Sequence, residues 1–354
     1  SSKNPSKAIE ERFYNSKYYS ALPVDDSSDC IVLDPNKCLL CNTCVETCEN
    51  VQTVGALKIV YENGETFVKS KDADRMGDSR LCIGCGQCAA NCPSGAITVK
   101  SAVDKFRDAA ADPDTMMVVQ VAPSVRVGIS EAFGLPEGEN NMPKVVEALK
   151  LLGADVVYDT LFSADLTIVE EGNEFAELIT NSPDKLPLFT SCCPAWVKFC
   201  EENFPDLAGH ISTARSPQQM LGAVLRNKYS DPAYSNGKKV KFVSIMPCTA
   251  KKAGLKRKES STFGTADIDF SLTTIELAQM IEDAGIDFAA LCSDAPAAPY
   301  GEGSGGAAIF GVSGGVMEAA IRYLLPEFGD EELKALAESG VRGPGGTREF
   351  TINY

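Results

Sequence analysis

The 354 residues are 44% hydrophobic and 23% charged, enough for a packed core without disulfide staples. Acidic side chains outnumber basic ones by 49 to 33, leaving a formal net charge of -16. That excludes the basic stripe that nucleic-acid phosphates require, and no apolar run approaches the roughly 18 residues of a membrane span.

The length predicts two or three domains. The chain opens on Ser rather than Met, and no charged and apolar leader follows. The expectation is a trimmed N-terminus without a secretory signal. Residues 1–28 are polar, with an aromatic patch at Tyr14, Tyr18 and Tyr19, and read as an arm. Residues 29–103 carry cysteine clusters and a β-like run at 56–61. The polar stretch 101–114 predicts a helix and a hinge. Residues 104–354 change to an α/β pattern. Runs at 116–121, 154–159, 186–190 and 240–245 predict buried strands. The first is expected to lead through Ala122, Pro123 and Ser124 into an amphipathic helix. A long helix is expected over 165–180. Loops after parallel strands sit where such sheets bind ligands, so these loops are expected to line one pocket.

Nine of the 14 cysteines lie in the first 92 residues, which reads as metal binding in a reducing compartment. Cys38-x2-Cys41-x2-Cys44-x3-Cys48 is followed by Cys82-x2-Cys85-x2-Cys88-x3-Cys92-Pro93. Soft thiolates at this spacing suit two [4Fe-4S] clusters, and in two-cluster ferredoxins the fourth cysteine ligates the other cluster. One cluster should therefore take Cys38, Cys41, Cys44 and Cys92, and the other Cys82, Cys85, Cys88 and Cys48. Paired zinc sites are the competing reading; zinc motifs rarely carry the third cysteine and the Cys-Pro ending. Glu49 stands where Pro is usual after the fourth cysteine. Cys30, Cys200 and Cys292 fit no motif and read as core thiols. His210, the sole histidine, reads as structural. The run Lys256-Arg257-Lys258 reads as solvated, with docking of an acidic electron carrier as a lesser alternative.

Three further elements carry chemistry: Thr190-Ser191-Cys192-Cys193-Pro194-Ala195-Trp196, Met246-Pro247-Cys248-Thr249-Ala250-Lys251-Lys252, and the glycine-rich stretch from Phe310 to Glu318. On the residues alone they are thiols at strand ends beside a backbone that a ligand can approach closely. In these stretches, and in the double cysteine motif ahead of them, the chain resembles the [FeFe]-hydrogenases over about residues 29–354. The resemblance implies an α+β ferredoxin-like 2[4Fe-4S] domain followed by an α/β catalytic domain of two parallel-sheet lobes. It implies an H-cluster, a [4Fe-4S] cubane bridged to a diiron azadithiolate unit with CO and CN ligands, and reversible reduction of protons to H2. It implies Cys193 and Cys248 as cubane ligands, Cys192 as the proton-passing thiol, and Lys251 as a hydrogen-bond donor to a cyanide. Ala122, Pro123, Ser124, Gln218, Met246, Pro247 and Phe310 would line the diiron pocket. Glu171, Glu174 and Ser212 would form the proton path. Helical spacing puts Glu171 and Glu174 on one face and leaves Glu170 and Glu177 solvated. The implied partner is an electron carrier such as ferredoxin, in the cytoplasm or, after loss of a leader, in a hydrogenosome or other organelle.

Two departures from the family stand out. Gly254 occupies a place where the second signature usually has Glu. The last signature, Glu-x3-Cys-x3-Cys, is absent; no cysteine follows Cys292, and the chain stops at Glu349-Phe350-Thr351-Ile352-Asn353-Tyr354. The expectation is that a missing C-terminal segment or a second chain supplies the remaining cubane ligands. The alternative is a hydrogenase-like iron-sulfur protein that transfers electrons, senses, or scaffolds clusters without hydrogen chemistry.

Overall fold

A computed structural model describes residues 21–291, 294–312 and 314–325. Most of the expected arm, Cys292 and the last 29 residues lie outside the described residues. The chain divides into two compact units. The first combines the N-terminal part through Ser101 with Pro194–Asp206 and Cys248–Gly254; the second holds the rest.

Among the described residues, the first unit contains four short strands, β1 (Ile31–Leu33), β2 (Leu57–Glu62), β3 (Glu65–Ser70) and β4 (Ile97–Val99). β1 pairs antiparallel with β4, and β2 with β3. Asn63 and Gly64 turn the second ribbon with positive φ, as a two-residue hairpin loop requires. Ile31, Leu33, Leu57, Val68, Met76 and Ile97 pack with buried Cys38 and Cys44 into a small core. Ile31 and Leu33 are buried on either side of half-buried Val32 in β1, and Val68 and Ser70 on either side of Lys69 in β3, so one face of each of these strands turns inward. A helix over Pro194–Asn203 and a short one over Ala250–Gly254 complete this unit.

Among the described residues, the second unit is built on one parallel sheet. Its strands are β5 (Thr115–Val121), β6 (Val156–Asp159), β7 (Lys239–Met246) and β8 (Phe270–Thr273), in the spatial order β6-β5-β7-β8. Met117, Val119 and Val121 face one core with Leu149, Ile245 and Leu272; Val118 faces the other with Leu221, Leu225 and Phe242. Burial on both faces explains why β5 is apolar without alternation. The parallel order requires crossovers, supplied by helices over Met142–Leu151, Leu161–Asn181 and Pro217–Lys228. Ser216 and Gln219 form a capping box that starts the last of these.

Two expected elements differ. Residues 186–190 form no strand; Phe189 makes a single parallel bridge to Ile211. Pro187 lacks an N–H, so the run cannot sustain a ladder. The amphipathic helix expected straight after Ser124 is a short turn, Val125–Gly128, continued by a tight 3-10 stretch to Phe133. The full helix begins only at Met142, after Pro136 and Gly138 break the run. β8 and the following helix, Thr274–Asp283, carried too short a signal to be expected.

Candidate iron-sulfur and catalytic site

Two pockets in the first unit collect the cysteines in a crossed pattern. Cys38, Cys41, Cys44 and Cys92 line one of about 340 Å³, counting the solvent at its mouth, walled by Leu33, Val68 and Ile97. Cys48, Cys82, Cys85 and Cys88 line the other, about 380 Å³ on the same measure, walled by Ile31, Leu57 and Met76. In each pocket the fourth thiol comes from the other motif.

The N–H groups of Leu40, Ala56 and Ile97 point at Cys38, Cys48 and Cys92 Sγ at 3.4, 3.2 and 3.4 Å. Such donors favour negative charge on sulfur. Burial works the other way, pushing the Cys44 thiol up to about 11 and raising Cys82, Cys85 and Cys88. Burial alone thus keeps these thiols protonated, and metal binding would release the protons. Among the described residues, no three His, Cys, Asp or Glu side chains converge tightly enough for a single ion. Four soft thiols lining each pocket suit an iron-sulfur cubane.

The loop into Cys82 is organised from outside. Asp72 accepts from the Ser70 and Ser79 hydroxyls at 2.9 and 2.6 Å and from the Arg80 and Leu81 N–H groups at 2.8 and 3.1 Å. Ser79 Oγ in turn accepts the Cys82 N–H at 3.0 Å. Partial burial works to raise the Asp72 carboxyl, but these donors outweigh it and hold the group below its usual range. Nothing in the sequence marks Asp72; it sits in a polar run.

Cys248 and Lys251 belong to the same unit. The Lys251 N–H donates to the Cys248 carbonyl at 3.3 Å as the Ala250–Gly254 helix begins. Thr249 Oγ1 donates to the Gly84 carbonyl at 2.7 Å, and the Thr249 carbonyl accepts from Cys30 Sγ at 3.3 Å. Cys30 is 1% exposed, and burial pushes its thiol up to about 12. It is a core thiol, but one wedged between the second cysteine loop and the Cys248 segment. Gly84 and Gly86 have φ of +70° and +75°; a Cβ on Gly86 would lie 2.6 Å from Thr249 Oγ1. Glycine is needed there for both the backbone conformation and the close approach.

Of the residues expected around the diiron pocket, Ala122, Pro123, Ser124, Met246 and Pro247 lie at the carboxyl ends of β5 and β7. Ala122 follows β5, and its N–H donates to the Ile245 carbonyl at 3.0 Å. Met246 ends β7, and Pro247 follows it. Arg126 pins the Pro123 carbonyl at 2.9 Å while its guanidinium grips Asp159, at the end of β6, at 2.6 and 2.8 Å. Neither Arg126 nor Asp159 was marked by the sequence, because the pairing spans two strands. Ser124 opens the turn after Pro123. Gln218 is buried and donates to Ser244 Oγ at 2.8 Å. Phe310 closes the Gly305–Ile309 helix, half-buried; Ser313, in the same stretch, lies outside the described residues.

The four glutamates of the Leu161–Asn181 helix differ in exposure. Glu170 and Glu177 are exposed, Glu174 is half-buried, and Glu171 is 2% exposed. The Ser191 N–H donates to Glu171 Oε1 at 3.2 Å, while Oε2 has no hydrogen-bond partner. Burial pushes this carboxyl up; the Ser191 backbone offsets part of the effect and the Glu174 charge adds to it. Glu174 accepts from the Ser212 hydroxyl and from the Thr213 N–H and hydroxyl, both at 3.0 Å. Glu174 also lines a wide pocket open to solvent, with Glu170, Glu177, Thr213 and Arg215. Cys192 and Cys193 follow Ser191, half-buried and exposed respectively. His210 is held by the Lys185 and Pro187 carbonyls at 2.7 and 3.1 Å.

No described helix is long and apolar enough to cross a membrane. Residues 37–96 match the 4Fe-4S dicluster domain, and residues 115–354 match the iron only hydrogenase large subunit, C-terminal domain. The chain is 42% identical over 332 residues to the NADP-reducing hydrogenase subunit HndD of Solidesulfovibrio fructosivorans, covering 92% of this chain and 57% of that one. It therefore spans little more than half the length of that relative. It resembles the structure of apo [FeFe]-hydrogenase HydA1 from Chlamydomonas reinhardtii with a TM-score of 0.56 and 39% identity, over 65% of this chain and 59% of that one. It is also 29% identical over 300 residues to cytosolic iron-sulfur assembly component 3 of Bos taurus, covering 77% of this chain and 62% of that one. With a ferredoxin-type dicluster segment ahead of a hydrogenase-type parallel sheet, the chain belongs to the iron-only hydrogenase large-subunit family.

Proposed function

We propose that this chain is the catalytic part of an [FeFe]-hydrogenase that reversibly joins two protons and two electrons into H2. The proposal is for the complete protein. Cys38, Cys41, Cys44 and Cys92 would hold one [4Fe-4S] cluster and Cys82, Cys85, Cys88 and Cys48 the other. Together they would relay single electrons from a carrier such as ferredoxin. When bound, the H-cluster supplies the redox chemistry. Cys193 and Cys248 are the residues that would hold its cubane. Lys251, Ala122, Pro123, Ser124, Gln218, Met246, Pro247 and Phe310 would surround its diiron part.

One observation carries the reading: a buried carboxyl, Glu171, touches the backbone N–H directly ahead of Cys192, with Glu174 and Ser212 behind it. Glu174 faces solvent and can collect a proton. Ser212 both donates and accepts, so it can pass one on. Glu171 sits in surroundings that favour its neutral, proton-carrying form, and Cys192 is the next titratable side chain along the chain. A relay of this kind needs each group within hydrogen-bond reach of the next. A reducing cytoplasm is the setting that suits so many free thiols.

The test is turnover in the complete, cluster-loaded protein. Cys192→Ser and Glu174→Gln should each lower H2 evolution by orders of magnitude with full iron content. Near-normal turnover in either variant would overturn the route.

A second reading, an iron-sulfur assembly or electron-transfer protein without hydrogen chemistry, is supported by the likeness to cytosolic iron-sulfur assembly component 3. Gly254 supports it too. It is buried, and a Cβ there would meet Pro194 Cβ at 3.3 Å, so a glutamate would need that proline to give by a few tenths of an ångström. Loaded protein that exchanges electrons but binds no CO- and CN-ligated iron, read by infrared spectroscopy, would favour this reading.

A further inference from the structure

The Pro194–Asn203 helix starts one residue after Cys193 and reaches back to the second cysteine motif. Lys198, on this helix, donates to the Ser79 carbonyl at 2.9 Å and to the Cys82 carbonyl at 2.8 Å. One turn later, Glu202 takes Arg80 at 2.8 Å. The Ser79–Cys82 loop is therefore held from both sides: Asp72 binds its N–H groups and the Ser79 hydroxyl, while Lys198 binds its carbonyls. The two attachments on the helix differ in kind. The Arg80 side chain is largely exposed, where an ion pair contributes little. The Lys198 ammonium is half-buried and directed at the backbone of a cluster cysteine.

We propose that Lys198 is a positioning residue for the cluster held by Cys82, Cys85, Cys88 and Cys48, and that its charge raises the reduction potential of that cluster. This rests on the assignment of those four thiols to one [4Fe-4S] cluster. Reduction adds an electron to an anionic cluster, and a fixed cation next to a ligand stabilises the reduced form more than the oxidised one. The consequence is easier reduction of the cluster nearer the Cys248 segment, where Thr249 binds Gly84 of the same loop.

The experiment uses the full 354-residue chain, reconstituted with iron and sulfide, in wild-type, Lys198→Met, Lys198→Arg and Glu202→Gln forms. Iron content and an EPR-monitored redox titration are the readouts. In Lys198→Met, one of the two clusters should be harder to reduce. At the wild-type midpoint its oxidised-to-reduced ratio should rise about tenfold, which for one electron is a shift of about 59 mV to more negative potential. Lys198→Arg keeps the charge and should restore most of the shift, while Glu202→Gln should leave both potentials in place. Unchanged potentials in Lys198→Met, or equal shifts of both clusters, would overturn the proposal. If Lys198→Met fails to load the second cluster, Lys198→Gln decides, because it keeps a donor without the charge; a loaded Gln variant at the wild-type potential also overturns it. Wild-type protein that loads no pair of cubanes would instead refute the underlying cluster assignment.

Discussion

The Ser191 N–H donates to Glu171 Oε1 at 3.2 Å, which places a buried carboxyl one residue ahead of Cys192. The other oxygen has no partner, and burial raises the pKa above its ordinary 4.5. The folded chain therefore keeps a proton that the unfolded chain releases. As pH rises from about 4.5 through the raised value, the unfolded state sheds its proton first, and stability falls by at most about 1.4 kcal/mol per pH unit. Glu171→Gln should remove this slope. The melting temperature of the variant relative to wild type should climb between pH 5 and pH 8; a constant difference would mean that Glu171 ionises normally in the fold.

The crossed pockets predict which cluster each fourth cysteine serves. Cys48→Ala should reduce the iron of the reconstituted chain from about eight atoms to about four. The surviving cluster should be the one lined by Cys38, Cys41, Cys44 and Cys92. Its identity follows from adding Cys41→Ala: if Cys48 belonged to its own motif, the second change would cost no further iron.

Much of this was legible because the informative residues are chemically rare and regularly spaced. Cysteines at intervals of two and three announce the clusters, and the apolar runs of β5 and β7 announce a sheet covered on both faces. The division between buried Glu171 and exposed Glu170 and Glu177 follows from helical periodicity. The residues that hold the site in place were not legible. Asp72, Lys198 and Arg126 are ordinary charged residues that reach Ser79, Ser79 and Asp159, 7, 119 and 33 positions away, and no local pattern records such contacts. Pro187 shows the opposite failure: an apolar run read as a strand, where one missing N–H reduced pairing to a bridge.

Asp72 offers a direct test of that hidden support. Its two oxygens take four hydrogen bonds from the Ser70–Leu81 segment. Asp72→Asn keeps the shape but leaves one oxygen and removes the charge. We expect a loss of about 1 kcal/mol in stability and faster loss of iron from the second cluster when a chelator is added. The depressed carboxyl value gives the sign with pH: the wild-type advantage should be present above the ordinary value of 3.8 and fade as pH falls through the folded one. Equal chelation rates for the two proteins would show that the loop holds without Asp72.

Gly86 combines two demands that can be separated experimentally. Its φ of +75° disfavours any side chain, and a Cβ would strike Thr249 Oγ1 at 2.6 Å and Cγ2 at 3.0 Å. Gly64, in the β2–β3 turn, has φ of +86° with nothing within 4 Å of a Cβ. Gly64→Ala therefore measures backbone strain alone, about 1 kcal/mol. Gly86→Ala adds the collision and should cost about 2–4 kcal/mol. Thr249 cannot move aside freely, because its hydroxyl is bonded to the Gly84 carbonyl and its own carbonyl to Cys30. Removing that side chain should make room. In a double-mutant cycle, Gly86→Ala with Thr249→Ala should be less destabilised than the sum of the single changes by about 1 kcal/mol or more. Additive costs would mean that the two segments do not meet in solution, and that the approach of the second cysteine loop to the Cys248 segment is not fixed by this contact.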